Sequence, residues 1–321
     1  MPKTPVLPKR RKRAGRQPGP PKPMPGNLSA EAAIADLSKL LDAREFDTID
    51  DANAFIQRVL ASHDGRLPEP APKTPLDRAQ ELIYQAPEST PPKRRAALAR
   101  QALEITPDCA DAYLLLAELD PSPTRKFDFL EQAVAAGERA IGPEAFERWH
   151  GHFWGRIEMR PYMRALGGLA ELCWMLGNRP RARALYARML ELNQSDNQGI
   201  RYMLATCLLE ERTAEAHAAL KKLLSDFPND AAATWAYSRA LLAFQEHDGP
   251  TPNATRALRK ALKANKHVPG ILLGDQPMPL ALPRFIGFGD ESEAIEYVTF
   301  AVRAWTQTPG SIAWLRDTIR G

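Results

Sequence analysis

Self-similarity at a spacing of 34 residues constrains this chain more than any other feature. Shifting residues 163–196 onto 197–230 places Leu169 on Met203, Ala170 on Leu204 and Cys173 on Cys207. Ala182 falls on Ala216, Leu185 on Ala219 and Met189 on Leu223, while Gln194 falls on Pro228. A further unit starts at Ala231, with Tyr237 and Leu241 in register. Upstream, one unit fits 76–109 and another begins at Ala110, with Ala102 and Pro107 where Met189 and Gln194 sit later. A repeat of this length is one supersecondary unit that cannot bury its apolar face alone, so units must stack on their neighbours. The apolar spacing within each unit is helical, and the composition is rich in Ala, Leu, Arg and Glu with 7% aromatics. Those are helix-forming residues, which makes the expected fold all-α.

A 34-residue unit of two antiparallel helices is the tetratricopeptide layout. Small residues at its eighth and twentieth positions let the paired helices approach closely. Ala170 and Ala182 fill both in one repeat, and Ala216 fills the second in the next. A large residue near the twenty-fourth position, Tyr186 or Leu220, fills the gap to the neighbouring repeat. Gly177 and Asn178 supply the turn between helices, and Pro228 stops a second helix.

The expected organisation follows the composition. Residues 1–28 carry eight basic residues, no acid and almost nothing to bury, so a disordered basic tail is expected. Residues 29–64 read as a small helical hairpin, its first helix opened by Ser29 and its second spanning 49–61 after Asp47 or Thr48. A Pro-rich linker at 65–75 leads to the repeat array at 76–289. The array breaks period twice, at an insert within 137–162 and at 267–289. The latter is too apolar for a free loop and is expected as an extended segment packed on the array. Residues 290–321, capped at Asp290 or Ser292, are expected to form helices that close the end of the stack.

Charge separates the tail from the body. The formal balance is +4, yet residues 29–321 hold 35 basic against 39 acidic side chains. Any nucleic-acid contact is therefore confined to residues 3–22, where KRRKR at 9–13 could meet phosphates. The alternative function is therefore a nucleic-acid-associated protein that uses this basic tail, although the segment lacks aromatics to stack on bases and solubility is its plainer role. Three sparse cysteines, Cys109, Cys173 and Cys207, form neither a disulfide framework nor a zinc site. With no long apolar run and no apolar stretch after the basic N-terminus, a reducing cytoplasm is expected, with no membrane partner.

No constellation reads as catalytic, and neither a cofactor nor a metal is expected. The sequence contains no GxxxxGK[ST], no GxGxxG and no HExxH. His150 and His152 lack a third histidine nearby, and their plain reading is a solvent-facing pair on a loop anchored by Trp149, Phe153 and Trp154. Two polar runs stand out: Glu158, Arg160, Tyr162 and Arg164, then Asp196, Asn197, Gln198 and Arg201. Each is either a ligand site or structural, with Asp196 capping a helix from Asn197 and Glu158 tying the insert to the stack.

Longer strings point to kin. The stretch GHFWGRIEMRPYMRALGGLAELCWMLGNRPRARALYARMLELNQSDNQGIRY at 151–202 resembles tetratricopeptide proteins related to suppression of tumorigenicity protein 7. HVPGILLG at 267–274, GFGDESEAIEY at 287–297 and WTQTPGSIAWL at 305–315 resemble the bacterial members of that group. Gln194 departs from the proline usual after the second helix. The resemblance implies a fold and a kinship, and no reaction. The expected function is therefore a non-enzymatic scaffold that takes a protein or peptide in its concave face. Positions two, five and nine of each first helix line that face: Arg164 and Glu171, then Gln198 and Arg201, then Trp235 and Arg239. Three arginines beside a tryptophan suit an acidic peptide, unless Arg164 and Arg201 pair within the chain.

Overall fold

Proline and short polar side chains punctuate the chain into helices. The computed structural model describes residues 31, 34, 35, 37, 38, 40, 41, 44–63, 74–87, 90–280, 282, 283 and 285–320. The basic tail expected at 1–28 and most of the linker expected at 65–75 lie outside the described residues. Residues 31–41 are helical where described. Then follow α1 (Ile49–Ser62), α2 (Pro75–Tyr84), α3 (Pro92–Ile105), α4 (Ala110–Leu119) and α5 (Pro123–Arg148). Next come α6 (Arg160–Met175), α7 (Arg179–Leu192), α8 (Ile200–Glu211), α9 (Ala214–Asp226), α10 (Ala233–Gln245) and α11 (Pro252–Ala264). The chain closes with α12 (Val268–Leu272), α13 (Glu291–Gln307) and α14 (Ser311–Arg320). Among the described residues there is no strand, only an isolated bridge between His152 and Asn193.

The high proline content is largely a set of helix starts. α2, α3, α5, α6, α7 and α11 each carry Pro in the first turn, where no intrahelical donor is lost. Thr74, Ser122, Asn178, Thr213, Thr251 and Asp290 accept from the freed amides ahead of their helices. Consecutive helices pack as pairs, α2 with α3, α4 with α5, α6 with α7, α8 with α9 and α10 with α11. Each second helix of the pairs through α7 also packs on the first helix of the next pair. The apolar repeat positions from α6 onward share one core, and α2 to α4 enclose a second, smaller cluster around Ile83, Leu98 and Ala102. Leu169, Ala170, Cys173, Ala182 and Met189 are buried, as are Leu204, Cys207, Ala216 and Leu223. Ala182 and Ala216 have no exposed surface, so Leu at either site must push two helices apart. Ala182→Leu and Ala216→Leu should each cost about 1–3 kcal/mol by denaturant melt. A wild-type melt for both would mean the repeat frame is misplaced.

Two interruptions take their form from local chemistry. The insert expected within 137–162 begins with helix rather than loop. α5 runs on to Arg148 and kinks at Gly142, whose φ of 70° precedes Pro143. Two short 3-10 turns, Phe153–Gly155 and Ile157–Met159, then lead into α6. Gly137 is needed for this path, because a Cβ there would lie 2.9 Å from Tyr162 Cβ. Phe153 is buried, Trp149 and Trp154 are half-buried, and His150 and His152 are exposed. Second, the segment expected to pack extended at 267–289 divides. α12 buries Val268, Ile271 and Leu272, while Leu280, Phe285, Ile286 and Phe288 face solvent. Among the described residues of the remainder, Leu273, Met278 and Leu282 lean on the core.

The C-terminal helices do more than close an end. α13 lies against α8 and α10, the first helices of two neighbouring pairs, and α14 packs on α11 and α13. Ala294, Ile295, Tyr297, Val298, Ala301, Ala304 and Trp305 of α13 are buried there. Glu293 is buried too, accepting from the amides of Ala233 and Gly289 and from the Asn265 side chain. It thereby caps α10 from a distant part of the sequence. The first-helix face is thus covered by the chain itself over its C-terminal half.

Candidate functional site

At the N-terminal half of the same face, buried charges meet. Asp111 opens α4, and Arg164 lies in the first turns of α6. Arg164 Nε and Nη2 donate to the two Asp111 oxygens at 2.9 and 2.5 Å. Gln80 of α2 donates to Asp111 as well, at 2.8 Å. The end of the guanidinium remains, and Glu31 takes it. Arg164 Nη1 and Nη2 donate to Glu31 Oε2 and Oε1 at 2.9 and 3.0 Å, a bidentate pair. Arg160 stands 3.7 Å from the same carboxylate. Its Nε donates to the Trp154 carbonyl, and its guanidinium lies over the Trp154 ring. Glu31 is only 2% exposed. Burial alone would lower the Arg164 pKa, but Asp111 and Glu31 outweigh it and hold the cation charged. Tyr84 nearby has its hydroxyl pKa raised by burial and then by Glu31 and Asp111.

A cavity of ≈ 450 Å³ adjoins this cluster. Leu76, Tyr84, Ile141, Trp149 and Tyr162 line it, and Ala35 of the N-terminal segment forms part of its wall. Tyr162 points its hydroxyl at Glu138 at 3.0 Å. Glu158, on the cavity rim, is partly exposed and stands 3.6 Å from Arg156 rather than being buried as a tie.

The second polar run is internally closed. Asp196 caps α8 through the amides of Ile200 and Arg201 at 2.7 and 3.1 Å. The helix starts at Ile200 rather than at Asn197, which is exposed, because Gly199 enters it with φ 71°. Arg201 donates to Asp196 at 2.8 Å and to Asp230 at 2.6 Å. Its guanidinium lies 4.3, 5.1 and 5.9 Å from the rings of Tyr202, Phe227 and Trp235. Trp235 is 1% exposed and donates to the Phe227 carbonyl, so it packs this cluster instead of presenting a free face. Burial pushes the Asp196 carboxyl above its ordinary range, against the pull of Arg201. Arg239 is exposed and donates to the Leu224 carbonyl. Glu171 and Gln198 are half-buried.

The structure therefore joins Arg160 and Arg164 at one end of the face, and Asp196, Arg201 and Trp235 at another, while Tyr162 turns to Glu138 and the cavity. The internal pairing of Arg164 and Arg201 left open by the sequence is present at both. Sequence reasoning missed Glu31 and Asp111. Asp111 had a signal: counted from Ala110 it holds position two, as Arg164 does counted from Met163. Glu31 had none, since nothing local ties the N-terminal segment to a residue 133 positions away.

Cys109, Cys173 and Cys207 are all buried. Burial, then the Asp111 charge, pushes the Cys109 thiol up to about 12, and burial raises Cys173 and Cys207 as well. Iodoacetamide should leave the native chain unlabelled and modify all three thiols once it is denatured. Labelling before unfolding would contradict this packing. Among the described residues, no helix is long and apolar enough to cross a membrane.

Comparison with known proteins supplies kinship. The chain is 28% identical over 269 residues to "Protein ST7 homolog" of Drosophila pseudoobscura pseudoobscura, covering 75% of this chain and 48% of that protein. This chain resembles the suppressor of tumorigenicity 7 proteins. It is 29% identical to "Suppressor of tumorigenicity 7 protein-like" from Gallus gallus, over 72% of this chain and 45% of that one. The Homo sapiens protein of the same description is also 29% identical, over 73% and 44%. The chain spans just under half the length of these relatives. They are animal proteins, and the bacterial side of the resemblance rests on the strings quoted above. No family model matches the chain, and no solved structure matches it.

Proposed function

We propose that the paired helices form a tetratricopeptide-type superhelix whose first-helix face receives a segment of a partner protein, making the chain a non-enzymatic interaction scaffold. One observation carries this reading. An acidic residue outside the array, Glu31, is held by Arg160 and Arg164 of the first helix α6, and Arg164 in turn pairs with Asp111 of the preceding first helix, α4. That surface already accommodates one acidic side chain, and the adjoining cavity offers room for a neighbouring one. Buried thiols and closed polar clusters offer no nucleophile beside a base, which favours binding over chemistry. The kinship to suppressor of tumorigenicity 7 proteins names no reaction for this chain.

Affinity capture from the native cell tests the reading when surface variants are compared. Arg160→Ala alters the first-helix face, and Arg259→Ala alters an exposed position on α11, a second helix. A partner lost with the first and kept with the second, at matching melts, supports the scaffold. Partners retained by Arg160→Ala, and by Glu171→Ala and Arg239→Ala, would remove the face as the site.

A further inference from the structure

The two halves of the first-helix face are covered in different ways. Over the C-terminal half, α13 is part of the core, with its apolar side buried and Glu293 tied to α10. Over the N-terminal half, Glu31 and Ala35 of the N-terminal segment lie against the array, and the described polar hold is Glu31. Beyond residues 31–41, the described part of this N-terminal unit has little hold on the array. α1 makes no substantial contact with another helix among the described residues. Its one buried side chain, Phe55, packs on Phe46 and under the Arg44 guanidinium of the same unit. Ile49 is 79% exposed. The unit is joined to α2 through the Pro-rich stretch before Thr74.

The chemistry of Arg164 divides along the same line. Its Nε side is held by Asp111, which belongs to the array. Its Nη1 atom is held by a carboxylate of the N-terminal unit alone, and Nη2 is shared between that carboxylate and Asp111. Without Glu31, the Nη edge of Arg164 and the neighbouring Arg160 form an unfilled carboxylate site in a desolvated setting, where an unpaired charge is strongly unfavourable. Residues 31–64 hold eight acidic and three basic side chains, so the unit has the charge of the ligand such a site would take.

We propose that Arg160 and Arg164 form a carboxylate-binding site for an acidic peptide, and that Glu31 is its built-in competitor, so the N-terminal unit must lift away before a partner binds. This rests on the scaffold reading and specifies its ligand class and its control. A site that is mostly self-occupied shows an apparent affinity reduced by the fraction of open molecules.

The test uses the full chain and fluorescein-labelled octaglutamate at low salt. Glu31→Gln should bind the peptide with a Kd roughly tenfold lower than wild type. Glu31→Gln combined with Arg160→Ala should lose that gain. Equal affinity in wild type and Glu31→Gln, or binding by neither, overturns the proposal. So does a gain that survives Arg160→Ala, which would place the peptide elsewhere. Should Glu31→Gln fail to fold, wild-type deuterium uptake decides. Saturating octaglutamate should raise uptake across residues 31–41, and unchanged uptake overturns the competitor. Partner capture with wild type and Arg259→Ala remains a separate readout, so the competitor can fail while the scaffold stands.

Discussion

Arg201→Ala should lower stability by about 3–5 kcal/mol, the range for breaking a buried ion pair by removing one partner. The reason is the pair of carboxylates it leaves behind. Asp196 is buried and Asp230 nearly so, and they lie one repeat apart, each at the start of a first helix. Asp196 caps α8, while Asp230 accepts the Ala232 amide just ahead of α10. Arg201 spans both, so one side chain fixes the spacing of two consecutive units. Tyr202 adds a donor to Asp230 at 3.0 Å and receives one from Arg201 at 2.6 Å. Lys keeps the charge but not the fork that reaches two carboxylates, so Arg201→Lys should recover only part of the loss. Asp230→Asn with Arg201→Ala should cost less than the two losses added, because the residues act as a unit. Urea melts of the four proteins check this. Additive losses would show that Arg201 bridges nothing.

The repeat was legible because period is a property of spacing, and spacing survives divergence between units. Ala182, Ala216, Cys173 and Cys207 could be placed in a core from the shift of 34 alone. Helix starts were legible for a similar reason, since Thr48 and Asp290 announce an N-cap through their own short side chains. What escaped was the pairing of charges across the stack. Arg164 reads as a groove residue from its repeat position, and only the fold shows that Asp111 and Glu31 converge on it. Trp235 reads as an anchor by the same rule, yet Tyr202 and Phe227 from the preceding pair enclose it. The apolar segment at 267–289 misled in the opposite sense. Hydrophobicity fixed no partner for Phe285 and Phe288, which are exposed. Periodicity speaks for what repeats, and each of these contacts is made once.

Trp305→Ala should remove about 3–5 kcal/mol, the range for truncating a large buried aromatic to Ala. Trp305 has no exposed surface and sits where α13 meets the last pair. Its ring stacks on Trp314 at 6.1 Å and meets Tyr237 of α10 at 6.3 Å. Its Nε1 donates to the Tyr297 hydroxyl at 2.6 Å, and its carbonyl accepts from Ser311, where α14 begins. Truncation empties the volume between three helices and leaves the Tyr297 oxygen without its donor in a buried place. Trp305→Phe keeps most of the ring area and loses the hydrogen bond, so it should fall between wild type and Ala. The loss should also be local. Units in a stack hold mainly to their neighbours, so an end can open while the middle stays folded. Hydrogen exchange should therefore quicken first in α10, α13 and α14, with α6 and α7 still protected. Uniform loss of protection from α2 to α14 would mean the array unfolds as one body, and an unchanged melt would mean Trp305 does not hold the end.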